Sequence, residues 1–309
     1  MRRILVALDG SNLSATILDD ALRLAGPGGE LVLMHAVNRQ RGRAAAIYNA
    51  ELDTEPAREY LEAVAEGLRT RGATVRTQAK LTFNVSAAID DVARANRVDM
   101  IACATHSRGA IGRLVWGSVA WKTLASSPVP VLLRHPVMGA APIFSASPPG
   151  LNAGVRAFAA THEHRRILVP LDGSQLAERA LPLARTLATE WEAPVDLLRV
   201  IPDTAHGDPL AIAQTYLDRI SGSFATEVHA HILTGSPEME IAAFALGAGA
   251  TDLVMTSHGR SGLDRVFLGS VTHDIVHRLS LPVLIVPALA AAEVEEHVDT
   301  REPATSLKG

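Results

Sequence analysis

Short apolar runs and longer amphipathic runs alternate along the chain. In its first part, the apolar runs occupy residues 4–8, 31–37, 75–81, 100–104 and 129–133. Most of these runs are too uniformly apolar to have a solvent-facing side, which is typical of strands buried on both faces of a parallel sheet. Between them, apolar residues recur at helical spacing, as in Ile17, Ala21 and Leu24. The pattern predicts five strands that alternate with four helices.

This pattern occurs twice, because the chain contains an internal repeat. Residues 2–11, RRILVALDGS, and residues 165–174, RRILVPLDGS, are identical at nine of ten positions, at an offset of 163. Residues 104–119 and 256–271 match at six of sixteen positions, at an offset of 152. The first copy therefore carries about 11 additional residues, which we place after its second strand, around residues 38–58.

The second copy predicts the same fold as the first. Its strands are expected near residues 166–171, 195–201, 226–233, 252–256 and 282–286. Strands and helices in alternation form a parallel sheet through right-handed crossovers, with helices on both faces. The predicted fold class is α/β, in two tandem repeats of a five-stranded parallel sheet. Ligands of such sheets bind beyond the carboxyl ends of the strands, so the loops at those ends are the candidate functional regions.

Composition indicates where the two domains begin and end. Residues 137–163 are rich in Pro, Ala, Ser and Gly, which is typical of a linker. Residues 289–309 are first alanine-rich and then charged, and we expect them to form a C-terminal tail. The predicted domains are therefore residues 1–136 and 164–288, and the chain of 309 residues is long enough for each to bury its own core.

Charge and cysteine content narrow the classes of function. A formal net charge of -4 argues against a large surface that follows nucleic-acid phosphates. The single cysteine, Cys103, excludes an intrachain disulfide and a cysteine-rich zinc site, and it favours a reducing compartment. The first apolar run is too short for a signal peptide, and no run reaches the roughly 18 residues of a membrane helix. We therefore expect a soluble, cytoplasmic protein with neither nucleic acid nor membrane as partner.

A carboxylate follows the first strand of each copy. The sequences are Asp9-Gly10-Ser11 and Asp172-Gly173-Ser174. In one interpretation the aspartate accepts hydrogen bonds from a ligand, for example from an amino group or a ribose hydroxyl. In the other, Asp and Gly form a tight turn and Asp or Ser caps the next helix. Both interpretations remain open, because they apply to the same place.

The fourth strand of each copy leads into a loop that ends at a Gly-Ser pair. In the second copy this loop contains Gly259, and nine residues separate it from Gly269 and Ser270. Loop amides and the positive end of the following helix attract an anion such as phosphate, and Ser270 is expected at the helix N-cap. Arg260 and Arg265 could add positive charge. Such glycines are more often structural, but their occurrence in both copies beside an aspartate strengthens the phosphate interpretation.

Other candidate groups carry less chemistry. His106 and His258 occupy matching positions before these loops, but no carboxylate or nucleophile stands at a spacing that would make a catalytic triad. His162 and His164 lie in the linker without further metal ligands, so no metal site is predicted. We expect Cys103 to be a buried, inert thiol. The chain has no G-x4-G-K-[ST] motif, so it is not predicted to be a P-loop ATPase.

Together, these motifs resemble those of a known family. LDGS after an apolar strand, the stretch from Gly259 to Ser270, and Pro-Val-Leu-Ile-Val at 282–286 are similar to the universal stress protein family in its tandem form. The resemblance covers about residues 1–136 and 164–288. It implies strand order 3-2-1-4-5 in each half, pairing of the halves through their last strands, and binding of ATP. Assembly into a homo-oligomer and a requirement for magnesium are left open.

The resemblance also implies which residues contact the nucleotide. In nucleotide-binding members these are the aspartate after the first strand, a residue that ends the second strand, and a Gly-x2-Gly-x9-Gly-Ser/Thr motif. In the second copy the corresponding residues are Asp172, Val200, Gly259, Gly269 and Ser270, and the candidate set also includes Thr256, His258 and Gly262. In the first copy they are Asp9, Ala36, Ser107, Gly117 and Ser118.

The two copies depart from this motif to different extents. Its first glycine is Thr256 in the second copy and Ala104 in the first, and its second glycine, Gly259, is Ser107 in the first copy. A side chain there crowds a phosphate that must approach the main chain. We therefore expect a stress-response regulatory protein that binds ATP mainly in its second domain. The alternative is a nucleotide-free interaction protein; as an enzyme, it would at most hydrolyse ATP slowly.

Overall fold

The computed structural model describes residues 2–38, 50–105, 118–135, 165–203, 207–257 and 269–287. The first half consists of β1 (Arg3–Leu8), α1 (Asn12–Ala15), α2 (Leu18–Ala25), β2 (Glu30–Asn38), α3 (Ala50–Arg69), β3 (Thr74–Thr82), α4 (Val85–Ala95), β4 (Met100–Ala104), α5 (Ser118–Ser126) and β5 (Val131–Arg134). The second half repeats this order with β6 (Ile167–Pro170), α6 (Gln175–Glu178), α7 (Leu181–Trp191), β7 (Val195–Ile201), α8 (Pro209–Ser221), β8 (Val228–Thr234), α9 (Pro237–Gly247), β9 (Asp252–Thr256), α10 (Ser270–Arg278) and β10 (Val283–Val286).

The strands form one sheet of ten strands in the order β3-β2-β1-β4-β5-β10-β9-β6-β7-β8. Each half is parallel and has the order 3-2-1-4-5, as expected. The halves join through their last strands, because β5 pairs antiparallel with β10. Leu132 lies opposite Leu284, its own counterpart at an offset of 152, so a pseudo-twofold axis passes through this pair.

Helices cover both faces of the sheet, as the alternation predicts. On one face, α2, α3, α7 and α8 contribute Leu24, Leu61, Leu187 and Leu217 to a single hydrophobic cluster that spans both halves. On the other face, α4 packs in one cluster and α5, α9 and α10 pack in another. The core is therefore continuous across the joint between the halves.

The edge strands β3 and β8 differ from the expectation of burial on both sides. Val75 is the buried residue of β3, and every residue of β8 is partly or fully exposed. Central strands such as β7 are buried along their whole length. The difference follows from position, because each edge strand has a neighbour on one side only.

Each half has five described helices instead of the predicted four, because the first helix is split. Between α1 and α2, the amide of Thr16 bonds to the carbonyl of Leu13 at 3.3 Å, and the Thr16 hydroxyl donates to the same carbonyl at 2.7 Å. Between α6 and α7, the amide of Ala180 bonds to Ala177 at 3.2 Å. Such bonds, one residue shorter than those of an α-helix, separate each first helix into two segments.

The additional residues of the first half lie where the sequence places them. Leu31 of β2 and Val195 of β7 occupy equivalent register positions and are 164 residues apart. Val75 of β3 and Val228 of β8 are also equivalent and are 153 residues apart. The offset therefore falls by 11 residues between the second and third strands, and α3 is longer than its counterpart α8.

Two contacts across the joint between the halves join side chains of different types. Arg23 on α2 donates to both carboxylate oxygens of Asp252, at 2.9 and 2.6 Å, and Asp252 is fully buried at the start of β9. On the other face, Trp121 of α5 meets His273 of α10 edge to face, with ring centroids 6.3 Å apart. The joint thus combines apolar packing with a buried ion pair between the halves.

We expect Asp252→Asn to destabilise the protein by up to about 3 kcal/mol, because it removes the two-bond ion pair of the buried Arg23 guanidinium and leaves it with the longer contact to Asp20, at 3.3 Å. Urea unfolding, followed by far-UV circular dichroism, would measure this effect. Glu66→Gln is the matched control, because Glu66 is an exposed partner of Arg69 at 4.0 Å, and its removal should cost well under about 1 kcal/mol. Equal midpoints for the two variants would contradict a stabilising role of the pair.

Candidate functional site

The two aspartates form turns at the carboxyl ends of β1 and β6. The Oδ1 atom of Asp9 accepts the amide of Ser11 at 2.9 Å and also the Ser11 hydroxyl. The Oδ1 atom of Asp172 accepts the amide of Ser174 at 2.9 Å. Ser11 and Ser174 in turn cap α1 and α6. The turn interpretation is therefore confirmed in both halves, and a carboxylate has further lone pairs with which to accept a ligand's hydrogen bonds.

A glycine is required between aspartate and serine in each turn. Gly10 has φ 77° and Gly173 has φ 80°, a region that side chains with a Cβ rarely adopt. This backbone reversal places the aspartate at the edge of the sheet, where both Asp9 and Asp172 are partly exposed. The LDGS motif is thus a structural device that presents a carboxylate at the end of a buried strand.

The start of α10 differs from the prediction by one residue. The N-cap is Gly269 (φ -58°, ψ 143°), and Ser270 is the first helical residue and is exposed, so the expected N-cap role of Ser270 is wrong. A glycine N-cap has no side chain with which to accept an amide, and α10 has no side-chain cap bond. By contrast, Ser174 and Asp208 cap α6 and α8 through their side chains. The first turn of α10 is thus suited to an anion that accepts its amides.

Two hydrogen bonds fix this helix end to the end of β9. The amide of Gly269 donates to the carbonyl of Ser257 at 2.9 Å, and the hydroxyl of Thr272 donates to the carbonyl of Thr256 at 3.1 Å. Thr256, Ser257 and Thr272 are all buried. Thr272 could not be identified from the sequence, because nothing in its local pattern indicates the carbonyl to which its hydroxyl donates.

The end of β7 supplies a third side of the site. Val200 lies in β7, which pairs with β6, while β6 pairs with β9 on its other side. Four residues therefore lie in or just after neighbouring elements, at the carboxyl ends of the strands of this half: Asp172, Val200, Thr256 and Gly269. The side chain of Val200 is buried and has no polar atom, and its backbone amide and carbonyl are the polar groups that it can offer a ligand.

In the first half, the structure describes fewer of the expected site residues. Asp9 follows β1, Ala36 lies in β2, Ala104 ends β4, and Ser118 begins α5. The other residues of interest lie outside the described residues: His106, Ser107, Gly117, His258, Gly259, Arg260, Gly262 and Arg265, and the linker residues His162 and His164.

A charged residue that the sequence analysis overlooked lies next to the second turn. Arg199 of β7 is buried, and its guanidinium lies directly against Gly173. A sequence signal was present, since Arg199 interrupts the otherwise apolar run Leu-Leu-Arg-Val-Ile. The location of this charge beneath the turn depends on the pairing of β6 with β7, which the strand order implied by the resemblance predicts and the structure shows.

Comparison with known proteins identifies the family. The sequence profile of the universal stress protein family matches residues 1–135 and 163–287, which together are most of the chain. The chain belongs to the universal stress protein family. Among curated relatives, this universal stress protein is 27% identical over 139 residues to one from Methanocaldococcus jannaschii, covering 40% of this chain and 82% of the relative. It is 28% identical over 144 residues to YxiE of Bacillus subtilis, covering 39% and 97%.

Solved structures show the same fold over the whole tandem chain. A universal stress protein from Archaeoglobus fulgidus superposes with a TM-score of 0.67 at 23% identity, covering 93% of this chain and 96% of that one. Another, from Pseudomonas aeruginosa, gives 0.65 at 19% identity, covering 97% and 98%. The fold of this chain, over both of its halves, is therefore shared with these structures.

Two features are absent from the described part of this universal stress protein. In that part, no helix is both long and apolar enough to cross a membrane. The same residues contain no group of three or more His, Cys, Asp or Glu side chains arranged to hold a metal ion.

Cys103 is buried in β4, and burial raises the pKa of its thiol to about 12. Since the thiolate is the reactive form, we expect Cys103 to resist a disulfide reagent such as DTNB at pH 8 in the folded protein. The same thiol should react stoichiometrically in denaturant. Rapid labelling of the native protein would contradict its assignment as an inert core residue.

Proposed function

We propose that this universal stress protein binds an adenine nucleotide, ATP, mainly in its second half, and acts as a regulatory protein of the stress response. The observation that carries the proposal is the glycine-capped start of α10, tied to the end of β9 beside the Asp172 turn. Family membership supports the choice of nucleotide, because the matched segments, residues 1–135 and 163–287, include the positions that the resemblance assigns to nucleotide contact.

Each part of the nucleotide has a chemically suitable partner at this edge. The first-turn amides and the positive dipole end of α10 favour a phosphate group. The carboxylate of Asp172 can accept hydrogen bonds from an amino group or a ribose hydroxyl. Backbone groups at Val200 suit the edge of a planar base. The three groups follow β9, β6 and β7, so one elongated ligand could contact them all.

The preference for the second half is supported by the position of one glycine in its loop. Gly259 stands where the first half has Ser107, and the side chain of Ser107 would crowd a phosphate that approaches the main chain. Regulation then follows from linkage, since a ligand that binds one folded state stabilises that state by RT ln(1 + [L]/Kd), which increases with the ligand concentration.

The first experiment is to purify the protein without added nucleotide, release bound small molecules with acid, and identify them by chromatography and mass spectrometry. About one adenine nucleotide per chain would support one working site, and about two would show that the first half also binds. If none appears and added ATP does not raise the melting temperature, the nucleotide-free interaction protein becomes the preferred function.

We expect Asp172→Asn to weaken ATP binding by about 10- to 100-fold, because a hydrogen bond to a charged group contributes about 1.5–3 kcal/mol. Asparagine can maintain the turn, so the melting temperature without ligand should change little. Titration calorimetry would measure the affinity. Asp9→Asn is the matched control in the first half, and it should leave the main binding event intact. Equal losses in both variants would contradict the preference for the second half.

A further inference from the structure

Arg199 and the Asp172 turn are in direct contact. A Cβ atom built on Gly173 would lie 2.2 Å from Nη1 of Arg199 and 3.1 Å from its Cζ. Arg199 is 8% exposed, so its guanidinium is held inside the protein, against the backbone of the turn. Gly173 is thus required both by its positive φ and by the guanidinium that fills the space beside it.

Tyr216 of α8 also lies close to this guanidinium. Cζ of Arg199 is 5.8 Å from the centre of the Tyr216 ring. Burial raises the pKa of Tyr216 to about 12, with smaller increases from Glu178 and Asp172 that Arg199 and Arg219 oppose. Asp172, Arg199 and Tyr216 therefore share one electrostatic environment beneath the candidate site.

The first half holds its equivalent turn in another way. His35 occupies the position of Arg199, and its ring meets Tyr60 edge to face at 6.0 Å. The turn itself is held by Ser14, whose hydroxyl accepts the amide of Asp9 at 3.2 Å and donates to the carbonyl of Ser11 at 2.9 Å.

The second half has different residues at the positions of Ser14 and His35. Ala177 replaces the serine at the position of Ser14, and arginine replaces the histidine at the position of His35. The hydroxyl that ties the first turn is therefore absent from the second, and a buried, permanently charged guanidinium contacts the turn there instead.

We propose that Arg199 is a positioning residue that holds the turn from Asp172 to Ser174 in the geometry that binds the base or ribose end of the nucleotide. This inference rests on the proposed function and adds to it that different residues recognise the nucleoside and the phosphates. Arg199 acts through the Asp172 turn at the end of β6, whereas phosphate contact belongs to the start of α10. Substitution of Arg199 should therefore affect nucleoside recognition and leave phosphate recognition unchanged.

The test compares Arg199→His, which installs the residue of the first half, with the wild type. Titration calorimetry would measure binding of ATP, adenosine and inorganic tripolyphosphate. We expect affinity for ATP and adenosine to fall about tenfold or more, which corresponds to about 1.4 kcal/mol, with tripolyphosphate unchanged. Arg219→His is the matched control, since Arg219 also lies over the Tyr216 ring, at 5.3 Å, but its side chain is 60% exposed. Equal losses for all three ligands would overturn the inference, and so would no loss at all.

A second readout does not require a ligand. Hydrogen exchange of the backbone amides of residues 172–175 should accelerate in Arg199→His, while exchange in α9 and β10 stays as in the wild type. If that variant does not fold, Arg199→Lys keeps the charge but loses the planar fork, and it should show the same changes to a smaller extent. Unchanged exchange in a chain that binds ATP would overturn the role of Arg199 alone. Absence of ATP binding by the wild type would overturn the proposed function, and the role of Arg199 with it.

Discussion

The antiparallel pairing of β5 with β10 determines where both candidate sites lie. Because this pairing reverses the strand direction between the halves, the carboxyl ends of β1 and β4 lie at the opposite edge of the sheet from those of β6 and β9. Asp9 therefore lies at the same end of the sheet as the start of β9, where the carboxylate of Asp252 accepts hydrogen bonds from Arg23. Each candidate site thus lies at the end of the sheet where the strands of the other half begin. The two sites lie at opposite ends of the strands of the same sheet.

The repeat conserves the shape of the site while its supporting contacts differ. Both halves keep the aspartate turn with a positive φ at glycine and a serine that caps the next helix. Beneath the turn, one half uses the Ser14 hydroxyl and the other the Arg199 guanidinium. A buried guanidinium is rigid and permanently charged, whereas a hydroxyl can rotate, so the same turn is supported by partners of different stiffness.

Much of this structure could be predicted from sequence, because strand alternation and an internal repeat are local signals. The family resemblance added the strand order and the pairing of the last strands. The exposure of β3 is not visible in its composition, but the strand order that the resemblance implies already places β3 at an edge of the sheet. The N-cap at Gly269 depends on backbone angles that its glycine leaves open. Arg199 was visible as a charge in an apolar run, but its contact with Gly173 arises only when β6 and β7 pair.

Fusion of the two halves has a consequence for the residues at the pseudo-twofold axis. Trp121 and His273 are counterparts at an offset of 152, and they face each other across the joint. In a dimer of identical chains, the symmetry would place such a residue against its own copy. Every substitution would then change both sides of the contact. In this chain a substitution changes one side of the contact only. The ion pair of Arg23 with Asp252 likewise joins one residue from each half. In a chain with two fused halves, one side of the interface can therefore change while the other side stays the same, which is impossible for two separate identical subunits.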